Sequence, residues 1–156
     1  MQWLSEAALC LAVIFCHSLR TMKTQSSLEL SDIQSIAAAA QAEAQKNNWA
    51  VSIAIVDAGG HLLHFQRLDG AAPVSSHIAP AKAKTAAMGQ RETKIYEDVI
   101  NGGRYSFLSA PTIEGMLEGG VPIMKDGACL GAVGVSGVKS TEDAQIAKAG
   151  IAAIGL

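Results

Sequence analysis

Residues 50–67 read AVSIAIVDAGGHLLHFQR, and this stretch decides the fold. Ala50 to Val56 is short and β-branched. Asp57-Ala58-Gly59-Gly60 then offers the residue types that a tight turn with positive φ requires, and His61 to Arg67 resumes extended chain, so a β-hairpin is predicted. A second hairpin follows downstream: Gly119 to Lys125 and Ala128 to Gly137 read as strands joined at Asp126-Gly127, a strong hairpin signal.

Helical patterns surround the two hairpins. Ser31 and Gln34 read as a reciprocal cap for a helix whose stripe is Ile33, Ile36, Ala37, Ala40 and Ala44. Val74 to Gly89 is alanine-rich, with Pro80 expected in its first turn or at a kink, and Glu92 to Ile100 ends at Asn101-Gly102-Gly103. A last helix is predicted from Ser140, with Asp143 as its capping partner. The order helix, hairpin, helices, hairpin, helix predicts an α+β fold: a mostly antiparallel sheet from two β-hairpins, flanked by helices.

The 156 residues suit one domain, placed at 28–156, after a leader or start-site extension at 1–27. Within that leader, Trp3 to Phe15 is apolar but shorter than the roughly 20 residues of a membrane-spanning helix. It lacks a preceding cation and a small-residue cleavage site and contains Glu6, so a cytoplasmic protein with an extended start is preferred over an exported one. The formal net charge of −2 supplies no basic surplus for nucleic acid. Cys10, Cys16 and Cys129 show neither CxxC spacing nor a histidine cluster, which argues against a disulfide framework or a structural zinc. Aromatic residues make up only 4%, so alanine, glycine and branched aliphatics must form closely approaching faces suited to self-association.

Several polar residues carry candidate chemistry. The glycine-rich run from Gly131 to Gly137 has neither the Walker lysine nor GxGxxG spacing; it reads as a strand that another backbone approaches closely, with Ser136 and Gly137 able to line a pocket. Asp57, Arg67 and Asp69 stand at strand ends, either as an ion pair fixing two turns or with the Arg67 fork holding a carboxylate or haem propionate. Lys82 and Lys84 would extend that positive field. His77, early in a helix, is the candidate metal ligand, whereas His61 and His64 are three apart on a strand and point to opposite faces.

Five blocks then stand in register: Asp57-x-x-Gly60, Arg67-x-Asp69-Gly70-Ala71, Lys82-Ala83-x-Thr85-Ala86, Gly119-Gly120-x-Pro122-Ile123 with Gly127, and Gly131-x-x-Gly134-Val135-Ser136-Gly137. In order and spacing they resemble the GlcG/HbpS family of haem-binding proteins, and are similar to the C-terminal domain of PduO-type corrinoid adenosyltransferases. The resemblance implies a mostly antiparallel sheet with flanking helices, assembly from dimer to octamer, and, for several members, haem as cofactor. It transfers no axial ligand. The expectation is an oligomeric module binding haem or a small organic acid through Arg67, Asp69, His77, Lys82, Ser136 and Gly137, with a role in haem, iron or redox handling. The alternative is an enzyme or accessory protein acting on a carboxylate-bearing catabolite, the enzyme using Asp57, Arg67, Lys82 and Ser136.

Overall fold

The computed structural model describes residues 24–156, so Cys10, Cys16, His17 and most of the leader expectation lie outside the described residues. The elements are α1 (Leu30–Lys46), β1 (Ser52–Asp57), β2 (Leu62–Arg67), α2 (Ser75–Gly89), α3 (Thr93–Asn101), a 3-10 turn (Tyr105–Ser109), β3 (Gly120–Lys125), β4 (Ala128–Ser136) and α4 (Ser140–Ala152). Both predicted hairpins form, and they join through β1 and β4 into one antiparallel sheet of order β2-β1-β4-β3. The expected α+β architecture is therefore present, with helices on both faces.

Turn chemistry explains the hairpins. Asp57 Oδ1 accepts the amides of Gly59 (2.8 Å) and His61 (2.9 Å), and Gly60 takes φ +80°. Asp126 and Gly127 both have positive φ, as a two-residue type I′ turn demands. Both turns lie at one end of the sheet, so Ser52, Arg67, Ser136 and Gly120 gather at the other.

Strand alternation divides the core into two unlike halves. Ile53, Ile55, Val133 and Val135 face α1 and α4, in a cluster with Ile33, Ile36, Ala40, Ile146 and Ala147. Ala54, Val56 and Ala132 face α2, against Ala79, Ala83, Ala86 and Ala87. This second interface is a backbone contact: a Cβ on Gly134 would collide with the Ala79 carbonyl and the Ala83 amide. The close approach read from the Gly131 to Gly137 run is thus met by α2.

Two cap expectations are corrected, and Pro80 lies beyond the first turn. Helix α1 starts at Leu30, and the Asp32 carboxylate, not Ser31 and Gln34, takes the orphan amide, that of Glu29, at 2.9 Å. A charged acceptor beside the first turn is favoured there by the helix dipole. Pro80 falls in the second turn of α2, where the helix forgoes one amide donor. Helix α4 does start at Ser140, but Glu142 caps it by accepting the Lys139 amide at 3.1 Å, which leaves Asp143 to turn inward.

Candidate functional site

Arg67, Ser52 and Ser136 stand in one row across β2, β1 and β4. Ser52 Oγ lies 2.8 Å from Ser75 Oγ at the start of α2, and Ser75 Oγ donates to the Ala72 carbonyl at 2.6 Å. Ser136 ends this row nearly buried. Gly137 has φ +151°, and a Cβ there would press on the Ala50 carbonyl and Val51 Cα, so its role is to let two backbones meet.

Lys82 does not share a field with Arg67. Its ammonium is buried and donates to Asp143 Oδ2 at 2.8 Å and to the Val135 carbonyl at 2.9 Å. Gly119 makes room for it, because a Cβ at that position would come within 2.8 Å of Lys82 Nζ. Asp143 Oδ1 also accepts the Val138 amide at 3.3 Å, and burial pushes this carboxyl above its usual range against the opposing pull of the ammonium. The pair ties α2, α4 and the end of β4 together. Nothing in the sequence marks Ser52 or Ser75 as a pair, and Asp143 is read there only as a helix cap, although Lys82 shares the buried stripe of Ala79, Ala83 and Ala86, a placement that already points inward.

Arg67 and Asp69 line an open cleft of about 470 Å³ with Gln41, Gln45, Asn48 and Trp49, where the end of α1 meets the sheet. Both are exposed, and neither forms an ion pair among the described residues. Helix α2 lies over β1 and β4 and leaves the same face of β2 uncovered, with Phe65 38% exposed. Gly60 packs on Lys84 and Met88, which turns one flank of α2 toward the first hairpin. His77, Pro80, Lys84 and Met88 continue along that flank at helical spacing. The exposed Phe65 on β2 and the exposed His77 on the α2 flank border this uncovered strip, and Arg67 lies at the end of β2 that pairs with Ser52.

Asp57 lies at the opposite end of β1 from Ser52 and hence from Arg67, roughly 17 Å away for a six-residue strand. It pairs with His61 in its own turn, Nδ1 to Oδ2 at 3.0 Å, so the anticipated pair between Arg67 and Asp57 does not form. Partial burial pushes the Asp57 carboxyl up, but hydrogen bonds from His61 and Gly59 outweigh it and hold it below its usual range. The four groups of the enzyme reading are thus dispersed: Asp57 at one end, Arg67 exposed at the other, Lys82 and Ser136 buried. No group of three or more metal-ligating side chains occurs among the described residues.

A family model described as haem degrading protein HbpS-like matches residues 28–152. The chain belongs to the HbpS-like family. Protein GlcG of Escherichia coli (strain K12) is 54% identical over 115 residues, 74% of this chain and 85% of GlcG. The corrinoid adenosyltransferase PduO of Salmonella typhimurium (strain LT2) is 33% identical over 141 residues, 88% of this chain but only 41% of PduO. Among solved structures, the PduOC:heme complex aligns with TM-score 0.75 at 33% identity over 82% of this chain and 95% of that one. HbpS aligns with TM-score 0.79 at 31% identity over 86% and 95%. The HbpS-like match runs from just before α1 to the end of α4, so it takes in every element described above. No helix among the described residues is long and apolar enough to cross a membrane.

Proposed function

We propose that this chain is a haem-binding module whose working unit is residues 28–156 and whose ligand lies in the trough between β2 and α2. The observation that carries the reading is the likeness, over 95% of its length, to a chain crystallised as a haem complex. The trough suits a flat amphiphile: Phe65 and Met88 offer apolar contact, Arg67 and Lys84 offer cations for carboxylates, and His77 offers an imidazole. When bound, haem would supply a redox-active iron. His77 would donate its ring nitrogen to the iron, Arg67 would hold a propionate through its bidentate fork, and Asp69 would orient the Arg67 guanidinium. Ser136 and Gly137 would close that end of the sheet, and Lys82 would hold α2 in place.

The test is titration of the purified chain with haemin. A Soret band that saturates at a fixed ratio of haem to chain, and that shifts in position in His77→Ala, is expected. Unsaturable uptake, identical in wild type and His77→Ala, would reject the proposal.

The cleft that Arg67 shares with Gln41, Gln45 and Asn48 favours a second reading, a small organic acid held by Arg67 and carboxamides. Calorimetric titration with a set of hydroxy- and dicarboxylic acids separates the two, since this reading requires saturable heat that Gln45→Ala removes while haemin uptake is unaffected.

A further inference from the structure

Helix α2 rests on the sheet through a smooth contact. Ala54, Val56 and Ala132 meet Ala79, Ala83, Ala86 and Ala87, and no long side chain interlocks the two surfaces. Such a surface leaves the seating of the helix to its hydrogen bonds, which stand at three levels among the described residues. Lys82 Nζ reaches the Val135 carbonyl at the centre, and Cys129 Sγ lies 3.6 Å from the Ala87 carbonyl near the C-terminal end. At the N-terminal end the fastening is the hydroxyl pair of Ser52 and Ser75.

Each serine hydroxyl has one proton to give, which fixes the direction of this pair. Ser75 Oγ donates to the Ala72 carbonyl at 2.6 Å, so Ser52 Oγ donates to Ser75 Oγ at 2.8 Å. A one-way relay therefore runs from β1 through the start of α2 to the loop 68–74, which links Arg67 to the helix. Both serines are buried, at 0% and 2% exposure, so water does not substitute for either partner.

The turn that this relay holds is the one that carries His77. The ring is exposed and not held by packing, so its place follows from the backbone beneath it. Pro80 lies just beyond and has no amide for the Ser76 carbonyl, so the first turn is bound to the rest of α2 by one bond fewer than a continuous helix provides. The bond from Lys82 acts on the far side of that gap.

We infer that Ser52 and Ser75 are positioning residues: their relay holds the first turn of α2 against β1 and thereby sets where His77 stands relative to Arg67. His77 as an iron ligand rests on the haem reading above; the seating of the turn does not.

Hydrogen–deuterium exchange of the full chain without ligand reads the seating. Loss of one neutral hydrogen bond in Ser52→Ala should speed exchange of the 75–79 amides about 2- to 12-fold and leave 84–89 unchanged. Ser75→Ala should do more, because it leaves the Ser52 hydroxyl buried without an acceptor, and the double variant should do no more than Ser75→Ala. Thr85→Val removes the hydroxyl that accepts the Gly115 amide, on the same helix past Pro80, and should leave 75–79 as in wild type. In haemin titrations Ser52→Ala should move the Soret band toward that of His77→Ala, and should change nothing further when combined with His77→Ala. Unchanged 75–79 exchange in both serine variants overturns the inference, and so does an equal Soret shift with and without His77. Unsaturable haemin uptake by the wild type would instead reject the haem reading, and the exchange rates would still decide for or against the relay.

Discussion

Replacing Lys82 by methionine should be among the most damaging single changes to this fold. Both side chains of the Lys82–Asp143 pair are 3% exposed, so water cannot take over for a missing partner. Lys82→Met keeps the aliphatic stem but deletes two donated hydrogen bonds and leaves the Asp143 carboxylate with the Val138 amide alone. Breaking such a buried pair typically costs about 3–5 kcal/mol. For a chain of this size each kcal/mol lowers the melting temperature by roughly 2–4 °C, so a drop of roughly 6–20 °C is expected. The deficit should also depend on pH in a definite direction. Burial raises the Asp143 carboxyl in the folded state, and the missing ammonium no longer opposes this, so the folded chain takes up a proton more readily than the unfolded one. Stability from that protonation is present at acid pH and is lost as pH rises through the raised value, so Lys82→Met loses less at pH 5 than at pH 8. Lys82→Met with Asp143→Leu should recover most of the loss, because no charge then remains buried. Urea melts of the wild type and both variants at the two pH values decide this. A loss below about 1 kcal/mol in Lys82→Met, or a double variant worse than the single one, would refute the claim that the pair is desolvated.

Three further outcomes follow. Arg67→Ala should leave a denaturant melt within about 1 kcal/mol of wild type, as for any exposed charge, while lowering haemin affinity about 10- to 150-fold, and Arg67→Lys should recover only part of the affinity. Gly134→Ala drives a methyl into the Ala79 carbonyl and the Ala83 amide, and thermal melting should register a loss above about 2 kcal/mol, with little soluble protein as the extreme result. Because hydrogen bonds hold the Asp57 carboxyl below its usual range when folded, its contribution is complete at neutral pH and fades as pH falls through that lowered value; the stability gap between wild type and Asp57→Asn, measured by urea melts, should therefore close on acidification.

Much of the fold was legible because its signals are local. Asp126-Gly127 and Asp57 to Gly60 carry the turn geometry within four residues, and β-branched strands on either side leave few other structures available. Helix starts were less legible, since several acceptors compete for the same orphan amides within one turn: Asp32 and Glu142 capped where Ser31 and Asp143 had been expected. The candidate site was legible by residue type and not by company. Arg67 and Asp69 do line one cleft and His77 is exposed on α2, but Lys82 was grouped with Arg67 on charge alone, while its partner lies 61 residues further on. A contact at that separation leaves no local pattern. Nor does adjacency in the chain reveal that α2 leaves the face of β2 bare, because this depends on the order β2-β1-β4-β3.

The unlike faces of the sheet subject this protein to two different regimes of drift. Against α1 and α4, isoleucines and valines meet side chain to side chain, so one can shrink as its neighbour grows, and paired changes can wander through many combinations. Against α2, backbone meets backbone at Gly134, and likewise where Gly115 and Gly120 press on the main chain of Ala81 and Lys82, and a colliding carbonyl cannot be traded for a smaller one. Lineages that diverge from this chain are thus free to rewrite one half of the core and obliged to inherit the other nearly unchanged, and α2, with the His77 it carries, keeps its seat on the sheet while its surroundings change.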